Sequence, residues 1–336
     1  MSHRVTILMP IYNVGKYLRD SIDSVLAQTY HDLKLLILDD CSSDNSRDIV
    51  ASYFDSRIQY VHNDFNLGLA DNLNKGLSLV QTELVARMDG DDIAEPTWLE
   101  ENIKVLDANP EIGICSSGFQ FFGTKDSLVR YPQNHEDSKV QMLFGCTICV
   151  PVMRMSLIRK FNLQYNSDSF PAEDYELWSR CYPLTKVYNI QKTLFRYRMH
   201  PSQISTSKRL AQIEKTNQVR LRMLAMLNPV LSDKDKNYFI HEFCDARIIS
   251  KSDIKTMKDF VNNLLDVNSY GFYDSYALTK RFEMQLQLAV YNYVIRTFFN
   301  NGYSISHYAC YLFSGCAHHI PFLYQIKILY KCLSRY

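Results

Sequence analysis

The first half of the chain alternates short apolar runs with stretches whose apolar side chains recur every three to four residues. Val5-Thr6-Ile7-Leu8-Met9 reads as a buried strand, and Lys16 to Gln28 places Leu18, Ile22, Val25 and Leu26 on one helical face. Lys34 to Leu38 predicts a second strand. Ser42-Ser43-Asp44 offers N-cap chemistry for a helix that turns Ile49, Val50 and Tyr53 inward. Ile58 to Val61 predicts a third strand, Leu69 to Val80 a third helix, and Leu84 to Met88 a fourth strand. After Pro96, a helix burying Trp98, Leu99, Ile103 and Leu106 leads to a strand from Ile112 to Cys115.

Strand and helix alternating at this spacing predict an α/β fold, a mostly parallel sheet flanked by helices. In such sheets ligands gather at the carboxyl ends of the strands. The polar clusters fall there: Tyr12-Asn13 after the first strand, Asp39-Asp40 after the second, Asn66-x-Gly68 after the third, Asp89-Gly90-Asp91-Asp92 after the fourth. Beyond Ser207 the pattern turns helical, over Lys208 to Leu227, Asp233 to Ile249, Ile254 to Leu265 and Tyr276 to Phe299. The expected organisation is therefore an α/β domain over residues 1–205 and an α-helical C-terminal subdomain over residues 206–336.

Composition narrows the function. Lys+Arg number 37 against 36 Asp+Glu, so nothing favours nucleic acid as a partner. Nine cysteines, an odd count, lie scattered through apolar runs such as Gly145 to Val150 and indicate neither a zinc ribbon nor a disulfide framework. The apolar part of the N-terminal stretch is too short for a signal peptide, which predicts a cytoplasmic protein. From Thr297 to Ile326 no Asp, Glu, Lys or Arg occurs, and Lys327, Lys331 and Arg335 follow. The segment is too polar for a membrane span. It reads either as a packed helical piece or as an amphipathic tail lying on an anionic membrane surface.

Among candidate chemical groups, Asp89-Gly90-Asp91-Asp92 is the sharpest. Three carboxylates in four residues repel one another unless a divalent cation neutralises them, and hard oxygen ligands suit Mg2+ or Mn2+. The alternative is a solvated turn with Asp91 or Asp92 capping the next helix. Asp39-Asp40 could accept a nucleobase N–H or a ribose hydroxyl, or serve as turn residues; Tyr12 could stack on a base. Glu173-Asp174 could present a general base at a helix start, or simply reflect the acidic bias of helix N-termini. His200 could ligate a metal or touch a phosphate, or stand alone at the surface.

Together these segments resemble glycosyltransferase family 2, the inverting enzymes of GT-A type. Pro10-Ile11-Tyr12-Asn13 is similar to the opening P-x-Y-N, and Leu38 to Asp44 to V-D-D-G-S-T-D. Asn66-Leu67-Gly68 with Asn72, Asn74 and Gly76 matches a third motif, and Ala86 to Ile93 resembles A-R-M-D-A-D-D-I. Ala172 to Trp178 carries the E-D, and Tyr197 to Ser205 the Y-R-x-H-x-x-Q-x-S. Six motifs in order over residues 1–205 make the resemblance specific.

The resemblance implies roles. Tyr12 would stack on uracil, Asp40 would accept its N3–H and Pro10 would shape that wall, with Asn66 and Gly68 also lining the nucleotide site. Asp89 would hold the ribose or a metal-bound water, and Asp91 would ligate Mn2+ or Mg2+, with Asp89 and His200 as further metal or diphosphate contacts. Arg87 would brace the carboxylates or touch the donor sugar. Asp174 would be the general base, with Glu173 fixing hydroxyls. The implied reaction transfers a hexose or N-acetylhexosamine from a UDP-sugar to a saccharide or lipid-linked acceptor, as in lipooligosaccharide or capsule synthesis, with peripheral inner-membrane association. The rivals are an inactive nucleotide-sugar-binding scaffold and a sugar nucleotidyltransferase, whose Gly-rich phosphate loop is missing near Pro10. Cys41 departs from the family's glycine, Gly90 from another small residue, with no expected effect, and Cys146 to Met153 from its usual polar stretch.

Overall fold

The computed structural model describes residues 3–201, 203–227, 230–268 and 271–334; Ser202, within the motif from Tyr197 to Ser205, and Arg335, named above, lie outside the described residues. The chain divides into two compact units, Met1–Val219 and Arg220–Tyr336. The division falls inside a long helix.

The first unit opens with β1 (Val5–Ile11), α1 (Gly15–Leu26), β2 (Leu33–Asp39), α2 (Ser46–Ala51), β3 (Ile58–His62), α3 (Leu69–Leu79) and β4 (Leu84–Arg87). There follow β5 (Ile93–Ala94), α4 (Trp98–Ala108), β6 (Ile112–Gly123), β7 (Ser127–Val129), α5 (His135–Gln141), β8 (Val152–Arg154), α6 (Met155–Lys160), α7 (Glu173–Cys181) and β9 (Lys186–Met199). Two helices, α8 (Ile204–Ser207) and α9 (Arg209–Leu227), follow the sheet.

The strands form one nine-stranded sheet in the order β3-β2-β1-β4-β8-β6-β9-β5, with β7 on β6. β1, β2, β3 and β4 pair in parallel, β6 pairs in parallel with β9, and β8 runs antiparallel between β4 and β6. The chain steps from β1 to β2 on one side and returns to β4 on the other. That reversal opens a crevice at the carboxyl ends of β1 and β4, the switch point where α/β sheets bind ligands.

One sheet face buries Val5, Ile7, Met9, Ile11, Leu35 and Ile37 beneath Leu18, Ile22 and Val25 of α1. On the other face α3 lies so close that a Cβ on Gly76 would stand 2.3 Å from Leu38 Cδ1. Of the residues expected to cap α2, Asp44 does so in part, its Oδ1 accepting from Ser46 N–H at 3.0 Å, and Ser42 and Asp44 also do other work. Ser42 Oγ accepts from Asn13 N–H at 3.0 Å, and Asp44 accepts from Gly15 N–H at 2.8 Å, tying the loop after β2 to the loop after β1. Asn45 occupies the cap position with no side-chain bond.

The second unit holds α10 (Asp233–Tyr238), α11 (Lys251–Asp266), α12 (Ser275–Phe298), α13 (Ile305–Phe313) and α14 (Phe322–Leu333). Phe243 is its centre, meeting Phe260 at 5.7 Å and Phe282 at 5.2 Å edge to face. The helix expected over 233–249 is shorter: after Tyr238 it widens into a π-helical turn, Phe239–Phe243, with both phenyl rings buried.

Candidate functional site

Two hollows adjoin at the carboxyl ends of the strands. The first, about 480 Å³, is lined by Pro10, Tyr12, Asp40, Asn66, Gly68, Asp89 and Asp91 among others. The second, about 840 Å³, includes Arg87, Asp89, Glu173, Asp174, Trp178 and Tyr197. Asp89 and Tyr197 line both, so the hollows meet there. Every candidate residue lines one or the other except Asp39, which is buried behind the smaller hollow's wall, and His200, which reaches the site through Asp91.

In the smaller hollow the structure separates the two aspartates at the end of β2. Asp39 is wholly buried, accepting from Tyr60 Oη and from Ser42 N–H at 2.9 Å. Asp40 faces the hollow, and its carboxylate accepts from Leu67 N–H (2.8 Å), Gly68 N–H (2.9 Å) and Asn63 Nδ2 (2.8 Å). A carboxylate has about four acceptor positions, so roughly one is left for a ligand N–H. Asn63 and Lys75 belong to this assembly although the sequence did not single them out. Asn63 is buried, and its Oδ1 accepts from Lys75 Nζ at 2.6 Å, so an ammonium backs Asp40 through one amide. Tyr12 stands over the opening half exposed. Lys208, its ammonium 4.7 Å from the Phe170 ring centre, is the one basic side chain among the described residues lining this hollow.

The loop after β4 is held as an arch. Asp92 is buried and accepts from Arg198 N–H at 2.7 Å, while Arg198 Nε donates to the Asp91 carbonyl at 2.7 Å. The expected alternative of a helix cap at Asp91 or Asp92 is not realised, because strand β5 follows. Gly90 proves more than a neutral small residue: a Cβ there would stand 2.7 Å from Ile11 Cγ2. Asp91 Oδ2 and His200 Nε2 lie 2.9 Å apart, with the imidazole packed against the Tyr17 ring at 4.8 Å. Burial first and the Asp89 charge second push the Asp91 carboxyl above its ordinary range. Asp89 itself turns to Arg87, at 3.2 Å, rather than to the Asp91–His200 pair.

A divalent cation fits this pair. Adjacent ligands on an octahedral ion with bonds of about 2.1 Å stand about 3 Å apart, and the crowded carboxylates lack a full complement of cations. Among the described residues no cluster of three His, Cys, Asp or Glu side chains is gathered for a metal, so the remaining ligands would be diphosphate oxygens and water.

Across the larger hollow, α7 presents Glu173 and Asp174 in its first turn. Burial, then the charge of Asp174, pushes the Glu173 carboxyl up to about 7, against the opposing pull of Arg87. Burial likewise raises Asp174, whose carboxylate accepts from Tyr175 N–H at 2.6 Å. Arg87, 3.8 Å from Glu173 and stacked over the Tyr165 ring at 5.6 Å, joins the two acidic groups. Cys146 and Cys149 also line this hollow, a Cys-x2-Cys spacing that the reading of cysteine usage passed over. Burial pushes both thiols well above their ordinary range, which makes them poor metal thiolates.

A parallel switch point, a nucleotide-sized hollow and a paired Asp and His beside buried carboxylates define a glycosyltransferase of the GT-A fold. The chain belongs to glycosyl transferase family 2, whose model matches residues 6–164. It is 31% identical over 231 residues to an uncharacterized glycosyltransferase of Haemophilus influenzae, covering 64% of this chain and 72% of that one. An uncharacterized glycosyltransferase of Methanocaldococcus jannaschii is 28% identical over 205 residues, covering 58% and 70%. Among solved structures, S. aureus TarS in complex with UDP-GlcNAc superposes with a TM-score of 0.59 at 16% identity, over 89% of this chain and 93% of that one. The mannosyltransferase PcManGT from Pyrobaculum calidifontis, in complex with GDP-Man and Mn2+, gives 0.53 at 14%, over 88% of both.

Proposed function

We propose that this glycosyltransferase takes a hexose or N-acetylhexosamine from a UDP-sugar and passes it, with inversion, to a saccharide acceptor of a cell-surface glycan. The observation that carries the reading is the meeting of the two hollows at Asp89, with the Asp91–His200 pair on one side and Glu173–Asp174 on the other. The nucleotide occupies the smaller hollow, its base against Tyr12 and its imide N–H on the open acceptor position of Asp40. Pro10, Asn66 and Gly68 wall it in. Lys208 approaches the diphosphate. Asp91 and His200 would hold Mn2+ or Mg2+, which when bound neutralises the leaving diphosphate.

Asp174 takes the proton from the acceptor hydroxyl as that oxygen attacks the anomeric carbon. Its burial keeps water away and makes it more basic than an exposed aspartate. Arg87 keeps Glu173 and Asp89 oriented, and Glu173 receives sugar hydroxyls. A single displacement turns an α-linked donor into a β-glycoside. The helical second unit brings the enzyme to the cytoplasmic face of the membrane as a peripheral protein; no helix among the described residues is long and apolar enough to cross one.

The test is release of UDP or GDP from a panel of nucleotide sugars with Mn2+, followed by linkage analysis of the product. UDP-sugars are expected to be turned over in preference to GDP-mannose. Asp174→Asn is expected to lower transfer at least 100-fold while leaving UDP affinity within about two-fold. Full transfer by that variant would remove Asp174 from the chemistry.

A further inference from the structure

The larger hollow is acidic at its floor and basic at its mouth. On the floor the carboxylates have partners: Asp89 and Glu173 share Arg87, Asp92 accepts from Arg198 N–H, and Asp174 accepts from Tyr175 N–H. At the mouth stand Lys125, exposed on the hairpin between β6 and β7, and Arg209, the exposed first residue of α9. Among the described residues neither has a carboxylate partner.

Two features set these cations apart from ordinary solvated ones. First, an aromatic wall joins Lys125 to the floor. Its ammonium stands 4.2 Å from the Phe121 ring centre, Phe121 meets Tyr197 edge to face at 5.4 Å, and Tyr197 lines both hollows. A sugar chain laid on such a wall runs from the reacting hydroxyl to Lys125. Second, Arg209 occupies the start of a helix with no acidic residue in its first turn, where the helix dipole disfavours a cation. Gln212 Nε2 donates to the Pro171 carbonyl at 3.1 Å, which fixes that turn beside the loop leading into Glu173. An anionic group on a ligand in this hollow would supply the partner that each lacks.

We infer that the acceptor is an anionic glycan, carrying a phosphate or carboxylate on the part that does not react, and that Lys125 and Arg209 bind that group. This rests on the reading of the larger hollow as the acceptor site of a glycosyltransferase. The inference concerns recognition alone.

The experiment titrates the full-length protein, saturated with UDP and Mn2+, with three tetrasaccharide-sized probes: a neutral oligosaccharide, a uronate-containing oligosaccharide and a glycerol-phosphate oligomer. At low salt at least one charged probe is expected to bind roughly ten-fold or more tightly than the neutral one, as charge-assisted hydrogen bonds would give. Which one does so tells carboxylate from phosphate, and the preference shrinks at high salt. In Lys125→Glu/Arg209→Glu the order of the probes is expected to reverse, an outcome that mere structural damage would not produce. UDP titration of the same variant reports on its fold. Equal binding of charged and neutral probes by the parent protein, or an unchanged order in the reversed-charge protein, overturns the inference. Failure of the parent protein to bind UDP at all overturns the donor reading, and this inference falls with it.

Discussion

In the proposed function Glu173 carries its role at a cost to stability. Its carboxyl is raised from 4.5 to about 7, chiefly by burial and then by the neighbouring charge of Asp174. A carboxyl raised on folding favours the native state fully below its unfolded value and loses that contribution as the pH climbs through the folded one. The ligand-free protein should therefore gain from Glu173→Gln at pH 8, by on the order of 1–3 kcal/mol, and not at pH 4.5. Thermal melts of both proteins at the two pH values check this. Equal melting temperatures at pH 8 would mean that the carboxylate ionises there without penalty. In that proposal catalysis has the opposite sign: Glu173 and Asp174 both act deprotonated, so kcat/KM is expected to fall as the pH drops through neutrality rather than near 4.

At the scale of elements, the hydrophobic period revealed β1 to β4 and their helices because β1, β2 and β4 are buried on both faces, β3 at the sheet edge is half-buried, and each helix is buried on one. It did not reveal the length of β6, which runs on to Gly123 after its apolar run has given way to a mixed stretch. Nor could it reveal Asn63 and Lys75, since a buried amide at a strand end leaves no periodic trace; only Asp40 and Asn72 around it identify its role. The loop motifs were more legible than the contacts among them. Asp91 and His200 stand apart in the sequence and meet only because β9 pairs with β5, the strand that follows the acidic loop.

Cys41, flagged as standing where the family has glycine, sits at φ 65°, in the left-handed region. A side chain there costs about 1–2 kcal/mol, and glycine's extra freedom in the unfolded chain offsets about half of that. Cys41→Gly is thus expected to raise the melting temperature by roughly 1–2 °C. Cys41→Val, whose branched Cβ tolerates this backbone poorly, should lower it. A melting temperature lower for glycine than for valine would show that the thiol, 3.7 Å from the Asp64 carbonyl, contributes more than the backbone costs.

For the whole molecule, the uncharged tail asks what surface it was made to meet. No acidic residue follows Glu283. α14 packs Ile328 and Cys332 inward and leaves Phe322, Leu323, Ile326 and Tyr330 exposed at helical spacing, with Lys327 and Lys331 among them. Phe313, at the end of α13, is 92% exposed. Apolar side chains displayed beside lysines suit an anionic bilayer, where each cation adds about 1 kcal/mol near the surface. The tail is helical and packed on one side, and open on the other. In flotation with vesicles containing phosphatidylglycerol, the protein is expected to rise at low salt and to stay down with neutral vesicles. Replacing Phe313, Phe322, Leu323 and Tyr330 by serine should abolish the rise without altering UDP affinity. A parent protein that remains in the dense fraction at low salt would remove the membrane from the account. Because the donor hollow belongs wholly to the first unit, that result would leave the chemistry of transfer untouched.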